Sequence, residues 1–104
     1  MRTKHKIFIA NSQRMPEIPD SSVHLVVTSP PYPMIKMWDS MFTKQNGEIG
    51  KALETGDAFG SFEMMHRQLD AVWQEVERVL KPGGIACINI GDATRTIGGN
   101  FKLG

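Results

Sequence analysis

Two short apolar runs and the helix between them constrain this chain most. Val23 to Thr28, VHLVVT, and Ile85 to Ile90, IACINI, are apolar nearly throughout. Continuous apolar runs of this length suit strands covered on both faces of a parallel sheet. Between them, Phe62, Met65, Leu69, Val72, Trp73, Val76, Val79 and Leu80 recur at spacings of three and four. That pattern makes one helical face over residues 61 to 81. Ser61 is a plausible N-cap, and Glu63/Arg67 and Glu77/Lys81 are i,i+4 pairs in the favourable order. Pro82-Gly83-Gly84 stops the helix. Strand, helix, strand then predicts an α/β fold with right-handed crossovers.

The remaining elements are weaker. Lys6 to Ala10, KIFIA, reads as a third strand closed by Asn11-Ser12. Residues 13 to 22 hold two prolines and leave room for one helical turn at most. Residues 33 to 60 show no clear period and four glycines, so they are expected to be one long loop. The tail after Asp92 has turn signals at Gly98-Gly99 and no clear element.

With 104 residues, the chain has room for one small domain. The 40% hydrophobic and 22% charged content is that of a globular protein. A net charge of +1 gives no basic field of the kind that dominates nucleic-acid binding. Cys87 is the only cysteine, which excludes an intrachain disulfide and an all-cysteine metal site. In strand context it is expected to be inert core. His5, His24 and His66 lack metal-ligand spacing, so no metal is expected. No apolar stretch approaches a membrane span, and no secretory signal is visible, which favours a cytoplasmic protein without a membrane partner.

The chemistry lies in Thr28-Ser29-Pro30-Pro31-Tyr32, at the carboxyl end of an apolar strand. Ligands of parallel α/β sheets bind beyond that edge. Ser29 and Pro30 each precede a proline, so both are held extended and their carbonyls point in defined directions. A hydroxyl and fixed carbonyls beside an aromatic face suit a planar ring that carries an NH2 group. Pro-Pro-Tyr also reads as a polyproline II segment of the kind that binds WW-type modules. The apolar strand leading into the motif weighs against that reading. Asn11-Ser12 is either a turn or a polar contact for a ligand, and Asp92 is either a turn former or a ligand contact. Trp38 either packs over a bound ring or anchors its loop to the core. Met34, Met37 and Met41 read as soft apolar filler. Arg95 near Gly98-Gly99 makes only a weak phosphate-loop pattern.

TSPPY after an apolar strand resembles motif IV of the amino-methyltransferases that act on DNA bases. The stretches MPEIPDSSVHLVVTSPPY and LDAVWQEVERVLKPGGIACINIGD extend the likeness over most of residues 6 to 92. The serine form resembles the cytosine-N4 branch, whereas the adenine-N6 branch more often carries Asp or Asn there. The resemblance implies a Rossmann-like methyltransferase sheet, S-adenosylmethionine as methyl donor, double-stranded DNA as substrate and a restriction-modification context. By the same resemblance, Ser29 and the Pro30 carbonyl, with Pro31 fixing their geometry, accept the NH2 hydrogens. Tyr32 stacks on the flipped base, and Trp38, in the loop after the motif, is the candidate to pack over that base. Asn11, Ser12 and Asp92 approach the donor.

The family sheet usually has seven strands, and this sequence supplies about three with one long helix. The Gly-rich donor loop is missing, and TIGGNF does not replace it. The expectation is therefore a single partial domain over residues 1–104, the catalytic-motif half of the enzyme, inactive or nearly so alone. Half a sheet leaves an open edge, which predicts self-association or a complementary chain. A non-catalytic α/β interaction module is the alternative from a different class.

Overall fold

The computed structural model describes residues 2–91 and 93–103, with the side chains of 100–103 excluded. Two strands and three helices carry the architecture. Strand β1, Val23–Thr28, is followed by a 3-10 turn at Lys36–Trp38 and the helices α1, Asp39–Gln45, and α2, Gly47–Thr55. Helix α3, Ala58–Val79, leads into β2, Leu80–Ile88, and a hairpin of β3, Arg95–Ile97, and β4, Asn100–Leu103, closes the chain.

Strands β1 and β2 pair in parallel, as strand–helix–strand predicts. The register runs from Leu25 opposite Ile85 to Thr28 opposite Ile88, with Val23 opposite Leu80 at the start. From Val23 to Leu25 β1 advances two residues while β2 advances five, so Lys81–Gly84 bulges out. Gly83 has φ 81° there, a conformation that favours glycine.

The expected third strand does not form. Lys6–Ala10 pairs with nothing among the described residues, and Ile7 and Ile9 are 88% and 99% exposed. A strand needs a ladder partner, and neither edge of the β1–β2 pair takes this segment. The sheet is also less covered than the apolar runs imply. Leu25, Val27, Ile85 and Ile90 are exposed, and Cys87, expected in the core, is exposed as well. Helix α3 covers one side, leaving a cleft of about 340 Å3 between β1 and its Val72/Val76/Val79 face.

The expected loop over residues 33–60 is largely helical. Trp38, Met41, Phe42, Ile49, Ala52 and Leu53 recur at helical spacing, interrupted only at Asn46. Asn46 caps α2, its Oδ1 accepting from the Glu48 N–H at 3.0 Å. Gly56 ends α2 with φ 75°. Asp57 then caps α3, its Oδ1 accepting from the Gly60 N–H at 3.0 Å. Helix α3 therefore starts before Ser61, and Ser61 is a fully buried helix residue whose hydroxyl donates to the Ala58 carbonyl. Pro82 forces Lys81 out of helical geometry, so α3 ends at Val79. Glu63 and Arg67 pair at 3.8 Å, while Lys81 lies in β2 and has no helical relation to Glu77.

The core forms between these helices. Phe42, Ile49, Met65 and Leu69 are buried together, with Trp38, Met41, Leu53, Met64 and Trp73 packed around them. The 13–22 connection is tied to the other end of α3. Ser21 and Ser22 N–H groups donate to the Arg78 and Val79 carbonyls, satisfying helix-terminal acceptors. The Arg78 guanidinium donates to Glu75, Asp20 and the Met15 and Ile18 carbonyls at 2.7–2.9 Å. Hydrogen bonds from Arg78 and from the Met15 N–H hold the Glu75 carboxyl down at about 2. Its two partners also raise the Arg78 guanidinium above its ordinary value.

Candidate active site

The motif leaves β1 beside the exit of β2. The Asn89 N–H donates to the Thr28 carbonyl at 2.9 Å, continuing the ladder one step past the strands. The Tyr32 hydroxyl donates to the Asn89 carbonyl at 3.0 Å. The ring lies close over Gly91, where an added Cβ would sit 3.0 Å from Tyr32 Cε2. Tyr32 is thus tethered at its tip and supported at its edge by the chain that follows β2. Ser29, in contrast, is exposed at the carboxyl edge of the sheet. Among the described residues, the Pro30 carbonyl makes no backbone hydrogen bond.

After Tyr32 the chain turns, with the Ile35 N–H donating to the Tyr32 carbonyl at 3.0 Å, and Pro33 and Met34 are buried. Arg95 reaches this turn from β3. Its Nη1 donates to the Pro33 carbonyl at 3.0 Å and to Asp39 Oδ1 at 2.7 Å, and its Nη2 donates to Asp39 Oδ2 at 3.0 Å. Gly98-Gly99 forms the hairpin turn with φ 57° and 84°, the double positive φ of a type I′ turn. Arg95 and the glycines therefore make an ion pair and a hairpin.

Two cavities meet the motif, and Pro31 lines both. The smaller, about 150 Å3, lies between the motif, α3 and the chain after β2, with Pro30, Tyr32, His66, Trp73 and Ile90 in its walls. The larger, about 300 Å3, brings Asn11 and Ser12 to the same proline, with Gln13, Gln45 and Gln68 around an apolar floor that includes Phe42 and Leu69. Asn11 is partly engaged, its Oδ1 accepting from the Gln13 N–H at 2.9 Å. Gln13 Nε2 in turn donates to Gln45 Oε1 and to the carbonyl and Oε1 of Gln68.

The structure thus brings Asn11, Ser12 and Pro31 to one cavity and Pro30, Pro31 and Tyr32 to the other, with Ser29 exposed next to them in the chain. Trp38 is partly buried against the Phe42 cluster and anchors its turn to the core. Asp92 lies outside the described residues. Sequence reasoning missed Arg95, Asp39, His66 and Trp73 as neighbours of the motif. For the last two a signal existed, since residues 62, 66, 69 and 73 follow one helical stripe.

The profile of the DNA methylase family, N6/N4 type, matches residues 23–102. The chain belongs to that family. Two type II methyltransferases resemble it over almost its whole length. The type II methyltransferase M.MthZI of Methanothermobacter thermautotrophicus is 50% identical over 104 residues, covering 99% of this chain and 29% of its own. The type II methyltransferase M.MjaI of Methanocaldococcus jannaschii is 53% identical over 112 residues, covering 97% of this chain and 37% of its own. The chain therefore spans about a third of the length of these methyltransferases. No solved structure matches it. Among the described residues, no helix is long and apolar enough to cross a membrane.

Proposed function

We propose that this chain carries the acceptor-binding motif of a DNA amino-methyltransferase that acts on cytosine N4. The observation that carries the reading is the open Ser29–Pro30 acceptor pair beside a tethered Tyr32. Ser29 Oγ and the Pro30 carbonyl accept the two hydrogens of an exocyclic NH2 group. Fixed acceptors cost no reorganisation when the nitrogen begins to share its electron pair. The flat face of Tyr32 carries the extruded base. Once the nitrogen has gained its methyl, it loses a proton, and the exposed Ser29 hydroxyl gives that proton a path to water.

S-adenosylmethionine supplies an electrophilic methyl on its sulfonium, so that the sulfur–carbon bond breaks as the nitrogen–carbon bond forms. The 300 Å3 cleft would take part of that donor. Its amides and the Asn11-Ser12 rim suit a neutral nucleoside, and its lining contains no charged side chain to meet an ammonium and a carboxylate. Asn11 and Ser12 would hold the nucleoside end, and groups outside the cleft would hold the rest.

The serine favours cytosine over adenine as the acceptor, and double-stranded DNA is the substrate class. A displayed Pro-Pro-Tyr ligand is disfavoured by the buried Pro33 and by the Tyr32 tether to Asn89.

A chimera tests the reading. These 104 residues replace the matched segment of the M. thermautotrophicus enzyme, and methyl transfer is measured on cytosine and adenine duplexes, with donor binding followed by calorimetry. Transfer to cytosine N4 is expected. Methylation of adenine alone overturns the N4 assignment, and a folded chimera with neither binding nor transfer overturns the enzyme reading.

A further inference from the structure

Arg95 makes three hydrogen bonds, and each goes to the segment that follows the acceptor motif. One reaches the carbonyl of Pro33, the residue after Tyr32, and two form a fork on Asp39, the first residue of α1. Arg95 and Asp39 side chains are 15% and 21% exposed, so the pair is shielded more than a surface ion pair. A planar guanidinium is suited to this task, because it can fork onto a carboxylate and still donate to a third acceptor. The hairpin that bears Arg95 is itself held. Ile97 is 5% exposed, and Gly98 packs so closely on Gly56 that a Cβ there would meet the Gly56 backbone.

The motif is thus fastened at both ends. Asn89, just past the end of β2, holds Thr28 and Tyr32, and Arg95 holds Pro33 from the hairpin. Between the held residues Thr28 and Tyr32 lie only Ser29, Pro30 and Pro31. We propose that Arg95 is a positioning residue for the acceptor motif, acting through the Pro33 carbonyl and Asp39 to fix the direction of the Pro30 carbonyl and the Tyr32 ring. Its bearing on methyl transfer rests on the function proposed above, but its effect on the motif does not.

Tyr32 is the only tyrosine, so 3-fluorotyrosine labelling gives the chain a single fluorine resonance at the motif. The wild-type chain is expected to show one line, whose position and width at a fixed protein concentration are the reference for the variants. Arg95→Gln is expected to shift and broaden it, and Arg95→Lys to do so less. Arg95→Met, which keeps the length of the side chain and removes all of its donors, gives a second route to the same shift if Arg95→Gln does not fold. Arg78→Gln is the control, because it breaks a comparable ion-pair cluster remote from the motif and is expected to leave the line in place. A line in Arg95→Gln, or in Arg95→Met where Arg95→Gln is unfolded, that superimposes on wild type overturns the proposal. So does an Arg78→Gln line that moves as far. In the chimera, Arg95→Gln is expected to lower kcat by roughly 10- to 100-fold with the donor KM unchanged, as expected for reacting atoms misplaced by about 1 Å. The fluorine experiment needs no methyl transfer, so failure of the clamp and failure of the methyltransferase reading are told apart.

Discussion

Tyr32 shows how one side chain can serve two demands. Its hydroxyl is spent on Asn89, so that under the proposed function only the ring is left to meet a base. Tyr32→Phe should therefore cost about 1 kcal/mol of stability in urea unfolding, the net worth of one hydrogen bond, and leave transfer by the chimera within about tenfold. Tyr32→Ala removes the platform and should lower transfer by roughly 10- to 100-fold, in line with about 1–3 kcal/mol for base–aromatic stacking. Glu75 carries a pH dependence of the fold. Its carboxyl titrates at about 2 in the folded chain against an ordinary 4.5. A depressed value means that the folded state binds its proton less readily than the unfolded state. The stabilisation is present above pH 4.5 and is lost as pH falls toward 2. Urea midpoints measured across that window should fall for the wild type and fall less for Glu75→Gln. At this scale Ser29 to Tyr32 stand out as candidates from the sequence alone, because proline chemistry is local. Arg95 does not, since its partners lie 56 and 62 positions away and its place near Gly98-Gly99 suggests only a weak phosphate-loop pattern.

Helices α1 and α2 were hidden for a different reason. Their lengths of seven and nine residues are too short for a window that expects a long period, and Asn46 interrupts the stripe. Read with the caps included, Asn46 and Gly56 mark the ends that glycine content alone made look like loop. Helix α3 was legible because 22 residues hold one apolar face. Its centre is where truncation hurts most. Met65 is fully buried against Phe42, Ile49 and Leu69, so Met65→Ala should cost about 2–5 kcal/mol in denaturant unfolding. Val27→Ala, at a residue 72% exposed, should cost far less. The β1–β2 pairing was legible from the apolar runs, but the coverage of its faces was not. An apolar run says what a strand is suited to meet, and the partner has to be present for the burial to occur. The same holds for Lys6–Ala10, which has strand composition and no ladder.

At the scale of the whole molecule, the radius of gyration is 16.1 Å, against about 13 Å for a compact domain of this size. The longest dimension is 54 Å and the other two are 25 and 23 Å. An elongated body that exposes Ile7, Ile9, Leu25, Val27, Ile85 and Ile90 has apolar surface to cover. We expect the isolated chain to self-associate or to bind a complementary chain. Sedimentation velocity should show a mass that rises with concentration, and a monomer at high concentration would count against it. Within the body, the bulge at Lys81–Gly84 has a consequence for how chain length can vary. Three residues of β2 are surplus to its pairing with β1, and the ladder regains step only at Ile85. A residue gained or lost beside Gly83 alters a loop and leaves Leu25–Thr28 aligned with Ile85–Ile88. A residue gained in Val26–Thr28 would turn every later side chain to the opposite face and carry Ser29 away from its edge. Related chains should differ in length at the first place and keep count at the second, so that the bulge works as an expansion joint for a strand whose last residue cannot shift.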